Sequence, residues 1–220
     1  MRREGTLADI SDGRLYRADD LVRADCGGCE GCSACCYGAG DTIVLDPLDW
    51  HRLSEGLSAG LQELLASGKI GLHVEEGLIL PHLAMSKNGG CGFLNEEGRC
   101  GIHSLRPGIC RLFPLGRYYE GNSFRYFLQT RECRKENRAK VRIRKWLDVE
   151  DVPRYEAFVC RWHYFLKKIQ GKLTEESQMK QWSLLLLEQF YQRPYEGEDF
   201  YREWEERTEN FEKRMEQYFQ

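Results

Sequence analysis

Five cysteines stand within eleven residues, in the stretch C-G-G-C-E-G-C-S-A-C-C that runs from Cys26 to Cys36. They are Cys26, Cys29, Cys32, Cys35 and Cys36. The residues between them are mostly small, so the loop can fold back and point several sulfurs at one centre. It has no apolar face with which to build a packed helix or strand. Something other than packing must order it, and a bound metal or cluster is the economical candidate.

A second group answers the first. Cys91 and Cys100 flank Phe93-Leu94 and the turn Asn95-Glu96-Glu97-Gly98, so a hairpin there brings their sulfurs together. Arg106-Pro107-Gly108 then reverses the chain and presents Cys110, and Cys133 follows later. The whole chain holds ten cysteines. Its opening, MRREGTLADISDGR, has two arginines but no apolar stretch behind them, unlike a secretory leader. The expected setting is therefore a reducing one, the cytoplasm, where clustered cysteines bind metal more often than they form disulfides. The vicinal pair Cys35-Cys36 is also a poor disulfide.

Cys26, Cys29, Cys32 and Cys36 fit C-x2-C-x2-C-x3-C, the run of bacterial ferredoxins, with Tyr37 where those have proline. In ferredoxins with two clusters the fourth cysteine serves the other cluster, so the run alone does not define one site. With Cys91, Cys100, Cys110 and Cys133 the donors suffice for two four-coordinate centres, either tetrahedral zinc or [4Fe–4S]. Iron–sulfur is favoured by the ferredoxin-like run and the number of thiolates. Zinc stays open because it accepts the same ligands. Adjacent side chains tend to diverge, so Cys35 and Cys36 are expected to serve different centres and tie the two groups together. His103, three residues after Cys100, is a further candidate; His51, His73, His82 and His163 have no cysteine spacing around them.

Two other patterns lead nowhere. Gly38-Ala39-Gly40-Asp41 lacks the third glycine of a nucleotide loop and precedes its strand instead of following it. Cys32-x3-Cys36 begins a radical-type C-x3-C-x2-C triplet, but Ala39 holds the third position.

The remaining chain reads as a scaffold of class α+β. Thr42 to Leu45 is a short buried strand, and Asp46-Pro47 opens a helix that buries Trp50, Leu53 and Leu57. Hairpins are expected at Ile70–Leu80, around Glu75-Glu76-Gly77, and at Tyr118–Leu128, around Gly121-Asn122. Gly13 to Tyr16 suggests a short edge strand. From Arg131 to Lys145 a basic run reads as a solvated helix, or as a docking patch for an acidic protein partner. Pro153 opens a helix with a stripe of Tyr155, Phe158, Val159, Trp162, Phe165, Leu166 and Ile169, and Gly171 stops it. Cys160 lies off that stripe. Two more helices carry Met179, Trp182, Leu185, Leu186 and Phe190, then Phe200, Trp204, Phe211, Met215 and Tyr218. The expected organisation is a cysteine-rich domain over 1–135, with short hairpins and a helix, and a helical region over 136–220 packed on it. A net charge of −3 argues against nucleic acid as a partner, and no apolar run reaches the roughly 18 residues of a membrane span.

The combination C-x2-C-x2-C-C at Cys29, Cys32, Cys35 and Cys36, then C-G-F-L-N-E-E-G-R-C-G-I-H, then R-P-G-I-C-R-L-F-P, resembles the zinc- or iron-chelating cysteine-cluster family, also called the YkgJ-like or CxxCxxCC family. The resemblance covers roughly 26 to 133, and the helical tail is similar to that of clostridia-type bacterial members. It implies metal chelation at Cys29, Cys32, Cys35, Cys36, Cys91, Cys100 and Cys110. Cys133 resembles a later family cysteine, without the Pro-Gly that often follows it there, and Cys26 is extra to the core motif. Some relatives are called flagellin lysine N-methylases, which implies methyl transfer from S-adenosylmethionine to a protein lysine; this sequence has no recognisable loop for that donor. The residues thus predict a metal-binding protein with a structural or redox centre. Methyl transfer and a metal-stiffened interaction module are the alternatives, and no catalytic residue is assigned.

Overall fold

Turn chemistry sets the first local structures. The structure, a computed structural model, describes residues 6–27 and 32–220. The strands Ile70–Glu75 and Leu78–Leu83 are joined by Glu76 and Gly77, both in the left-handed region at φ 49° and 87°, which suits the right-handed twist of a two-residue hairpin. Gly121 and Asn122 do the same, at φ 55° and 58°, for the strands Leu115–Glu120 and Ser123–Leu128.

In chain order the elements are α1 (Leu7–Ile10), β1 (Leu21–Asp25), a 3-10 turn (Ala34–Cys36), α2 (Pro47–Leu57), α3 (Leu61–Ala66), β2 (Ile70–Glu75) and β3 (Leu78–Leu83). There follow a 3-10 turn (His103–Leu105), α4 (Gly108–Leu112), β4 (Leu115–Glu120), β5 (Ser123–Leu128), β6 (Ala139–Arg142) and α5 (Ile143–Trp146). The chain closes with α6 (Val152–Lys172), α7 (Glu176–Leu187), a π turn (Glu188–Gln192) and α8 (Phe200–Tyr218). The fold is α+β: small antiparallel hairpins and short helices, then a helical C-terminal region.

Both expected hairpins form, with Ile70 opposite Leu83 and Leu115 opposite Leu128. The run before α2 lies along β3, where Leu83 N donates to Ile43 O at 3.0 Å and Leu45 N to Pro81 O at 2.9 Å. The basic run differs from its expectation. Ala139–Arg142 is a strand, paired antiparallel with Leu21–Asp25. β1 buries only Val22 and Ala24, a short two-residue alternation that a mixed polar sequence hides. The expected edge strand at Gly13–Tyr16 is reduced to a single bridge from Tyr16 to Tyr126.

The C-terminal helices follow their stripes. Asp151 caps α6 by accepting from Arg154 N at 3.0 Å, and α6 buries Tyr155, Phe158, Val159, Trp162, Phe165 and Ile169. Phe165 meets Phe211, Trp182 meets Phe211 and Phe158 meets Trp204 edge to face, the arrangement that ring quadrupoles favour. Buried Arg207 holds the π turn and the loop after it. It donates to Gln189 O at 2.6 Å and Arg193 O at 2.8 Å, and pairs with Glu203.

The helical region is joined to the rest. Ser183 Oγ accepts from Ile79 N at 3.0 Å, and Tyr191 donates its hydroxyl to Leu45 O at 2.9 Å. One apolar core runs from Ala18 through Leu45, Leu53 and Leu112 to Met215. Among the described residues no helix is long and apolar enough to cross a membrane.

Candidate metal centre

Backbone pairing, not side-chain packing, brings the two cysteine groups together. Cys36 closes the 3-10 turn by donating its N–H to Ser33 O at 2.9 Å. Its own carbonyl accepts from Cys91 N at 2.8 Å, and Gly38 N donates to Gly89 O at 2.9 Å. The end of the first loop is thereby zipped to the start of the second group. Cys91 also bridges to Met85, across a turn whose Gly89 has φ 78°.

Cys100 is set by the turn before it. Asn95 Oδ1 accepts from Arg99 N at 2.7 Å and from Glu97 N at 3.1 Å, an Asx-type turn, and Leu94 bridges to Cys100. Cys110 sits in α4, which is held at both ends. Asp49 Oδ1 accepts from Gly108 N at 2.7 Å, and Trp146 Nε1 donates to Leu112 O at 3.2 Å.

Cys32, Cys35, Cys36, Cys91, Cys100 and Cys110 all line one cavity of about 770 Å³, and His103 joins them. Cys26 and Cys133 are not on its wall, and Cys29 lies outside the described residues. None of the described cysteines is in a disulfide. Among the described residues no three cysteine, histidine, aspartate or glutamate side chains stand at the spacing that would grip a metal ion.

The sulfurs nevertheless act on one another. The Cys36 thiol donates to the Cys35 sulfur, which pulls Cys35 down to about 6 and pushes Cys36 up. Arg106 adds to the lowering of Cys35. Cys36 is raised further by burial and by Cys35, Cys100 and Cys91. Burial raises Cys91 and Cys110, and both are raised again by the neighbouring sulfurs. Cys35 and Cys36 both line the cavity that the second group lines.

This donor set fits a thiophilic metal. Enclosed thiolates repel one another, and a cation among them removes that repulsion and deprotonates its ligands. Soft sulfur donors select zinc or iron–sulfur. Rotation about each Cα–Cβ bond is the adjustment that would close them on a centre. Such a group supplies either a fixed cross-link between segments or one-electron transfer. Partial desolvation, then Arg106 and Arg99, lower the pKa of the exposed His103, which favours the neutral imidazole that a metal takes as a donor.

The other histidines are elsewhere engaged. His51 stacks on Phe200, His73 pairs with Asp41 at 2.8 Å, and His82 contacts its own strand through Leu83 O at 3.0 Å. His163 stacks on Tyr119, with centroids 3.7 Å apart, at another part of the cavity wall.

Behind the thiols lies a buried charge cluster that cysteine spacing does not signal. Asp46 and Asp49 form a capping box at the start of α2, with Asp49 N donating to Asp46 Oδ1 at 2.8 Å. Asp49, a first-turn acid suited to the helix dipole, also holds α4. Burial raises Asp49, and Arg111, only 3% exposed and lying over the Tyr155 ring at 5.8 Å, offsets part of that rise. None of its guanidinium nitrogens has a hydrogen-bond partner. Burial, then repulsion by Asp49, pushes Asp46 up to about 8.

That shift has a sign. Between about pH 4 and pH 8 the folded Asp46 keeps a proton that the unfolded chain has lost, so its contribution to stability falls as pH rises. An asparagine in its place would keep the cap but cannot titrate. The stability of the wild type relative to Asp46→Asn is therefore expected to fall from pH 5 to pH 8, in urea unfolding at both pH values. A constant difference would refute the assignment.

Residues 28–134 match the family model CxxCxxCC, described as "Putative zinc- or iron-chelating domain". This segment is similar to the CxxCxxCC family. The matched segment takes in both cysteine groups except Cys26, from the residue before Cys29 to the residue after Cys133, and contains every element that lines up a sulfur on the cavity wall. Its description carries zinc or iron chelation without choosing between them. Comparison with curated proteins and with solved structures finds no match to the chain.

Proposed function

We propose that the protein holds an iron–sulfur cluster through both cysteine groups, with a structural or redox role. The observation that carries this reading is the meeting of Cys35 and Cys36 with Cys91, Cys100 and Cys110 in one cavity, where their sulfurs shift one another's protonation. Five thiols there, with Cys32 on the same wall, exceed the four that a single zinc needs. Cys26, Cys29 and Cys133 we assign to the same function as outer donors or as part of a second centre. The proposed organisation remains a metal domain over 1–135 and a helical region over 136–220. A reducing, cytoplasmic setting suits the thiols.

Anaerobic purification with metal analysis and a visible spectrum tests the reading. The expected product is brown, from thiolate-to-iron charge transfer. It should hold about four irons and four inorganic sulfides per chain for one cluster, or about eight of each for two. A colourless protein with stoichiometric zinc would replace the cluster with zinc on the same ligands.

A further inference from the structure

On the C-terminal helices, cations are matched to acids. Arg154 pairs with Asp199 at 2.6 Å, Lys168 with Glu212 at 2.9 Å and Glu216 at 3.3 Å, and Arg202 with Glu206 at 3.4 Å. The arginines at the thiol cavity are different. Arg99, Arg106 and Arg134 line it together with the sulfurs, and among the described residues none of the three is ion-paired to a carboxylate. Arg125 extends the group. It stands opposite Tyr118 across the β4–β5 hairpin, so the two side chains share a face, and Tyr118 is on the cavity wall. Arg125 has no acid partner either.

The imbalance is regional. Residues 99–145 hold 13 lysines and arginines against 3 acids, in a chain whose net charge is −3. That segment supplies all four arginines, and the rest of the chain is acidic. Glu132 is the one acid among the described residues of the wall.

Aromatic rings and a sulfur are exposed among these charges. Tyr37 is 47% exposed and Tyr118 39%, and Cys35 is exposed as well; all three are on the wall. Arg106 is near enough to act on both Cys35 and His103. Tyrosine and arginine are the residue types enriched in protein–protein interfaces, and charge at an interface selects the partner and speeds its approach. A nucleic acid fits less well, because it takes a track of phosphate contacts along a basic surface. Here the guanidinia gather at a cavity of an acidic chain.

We propose that this face, with Arg99, Arg106, Arg125 and Arg134 at the cysteine cavity, docks an acidic electron-carrier protein. The inference rests on the redox form of the cluster reading. One electron passes from the reduced cluster to the oxidised centre of the partner, and no proton or group moves with it. Redox encounters of this kind bury little surface, below about 1,200 Å², and depend on charge for steering.

The test is stopped-flow mixing of the full-length, metal-loaded protein, reduced anaerobically with dithionite and freed of the excess. It is mixed with ferric cytochrome b5, an acidic one-electron acceptor, or with ferric cytochrome c, a basic one, and haem absorbance reads the rate. With cytochrome b5 the second-order rate constant is expected to fall at least about tenfold between about 0.02 and 0.5 M salt. Arg125→Glu and Arg134→Glu are each expected to slow the low-salt reaction about fivefold, at unchanged metal content and unfolding midpoint, and to leave the reaction with cytochrome c unslowed. Lys213→Glu, on α8, which lines no part of the cavity, should change neither rate. Polyglutamate should inhibit the reaction with cytochrome b5 at least as well as polyuridylate of equal charge.

No reaction with cytochrome b5, a rate independent of salt, full rates in both reversal variants, equal slowing with the two cytochromes, or stronger inhibition by polyuridylate would each overturn the docking site. A colourless zinc protein, or a brown one that dithionite does not reduce, ends the redox reading and this inference together. A brown protein that dithionite reduces and that then fails these tests loses the docking site alone.

Discussion

Chelating the metal is expected to abolish amide protection over residues 32–37 and 90–112 while α6, α7 and α8 stay protected. The first two segments hold no long element. They consist of two 3-10 turns, isolated bridges, an Asx-type turn and the five-residue α4. Their sulfurs repel one another once deprotonated, and the metal is what offsets that repulsion. Structural metal sites of this kind contribute on the order of 10 kcal/mol to folding, which is comparable with the net stability of a whole domain. The C-terminal helices draw on a different source. Trp162, Trp182, Phe190, Trp204 and Phe211 are all under 7% exposed, and each fully buried large side chain contributes about 1.5–3 kcal/mol. The hairpins β2–β3 and β4–β5 should lose protection only in part, because Leu80, Leu83, Leu115 and Tyr126 belong to the shared core. Hydrogen exchange followed by mass spectrometry, on protein with and without its metal, reads this directly. Unchanged exchange in 32–37 and 90–112 would show that the metal does not organise the cysteine core.

The features that were readable in the sequence are those whose cause is local. Pro153 marks the start of α6 because proline suits a first turn, whereas Gly171 lies inside the last turn and the helix runs on to Lys172. Glu76-Gly77 and Gly121-Asn122 mark hairpins because left-handed turn positions admit few residue types. The cysteines announce themselves by type and spacing. What escaped depends on distant partners. Ala139–Arg142 becomes a strand only because Leu21–Asp25 lies beside it, more than 110 residues earlier, and a run of basic residues gives no sign of that. The meeting of the first loop with the second group follows from the bond between Cys91 N and Cys36 O, which no spacing rule contains. Asp49 is legible as a helix-start acid. Its hold on Gly108, 59 residues away, is not. Arg111 and Arg117 look like ordinary surface arginines until Tyr155 from α6 is packed against both.

Gly108→Ala is expected to destabilise the fold by about 2–4 kcal/mol and to lower metal content with it. An added Cβ at Gly108 would meet the Tyr155 hydroxyl at 2.4 Å and Asp49 Oδ1 at 3.6 Å. Tyr155 cannot easily give way. It is 1% exposed, and its hydroxyl accepts from Arg117 Nη2 at 2.8 Å. Forcing an extra carbon into a packed site costs about 1–3 kcal/mol, and weakening the hydrogen bond from Gly108 N to the Asp49 carboxylate adds about 1.5–3 kcal/mol where that bond breaks. Cys110 lies two residues on, in the same short helix, so its sulfur moves with the displaced backbone. Gly171→Ala is the matched control. Nothing lies within 4 Å of its Cβ position, and alanine near a helix end is expected to be neutral or stabilising by up to about 1 kcal/mol. Tyr155→Phe removes the very atom that the new methyl group strikes. In urea unfolding the double variant should therefore be more stable than the sum of the two single changes implies, by about 1 kcal/mol. Additive losses would place the damage elsewhere, and full stability of Gly108→Ala would mean that the junction of Asp49, Gly108 and Tyr155 does not hold Cys110 in place.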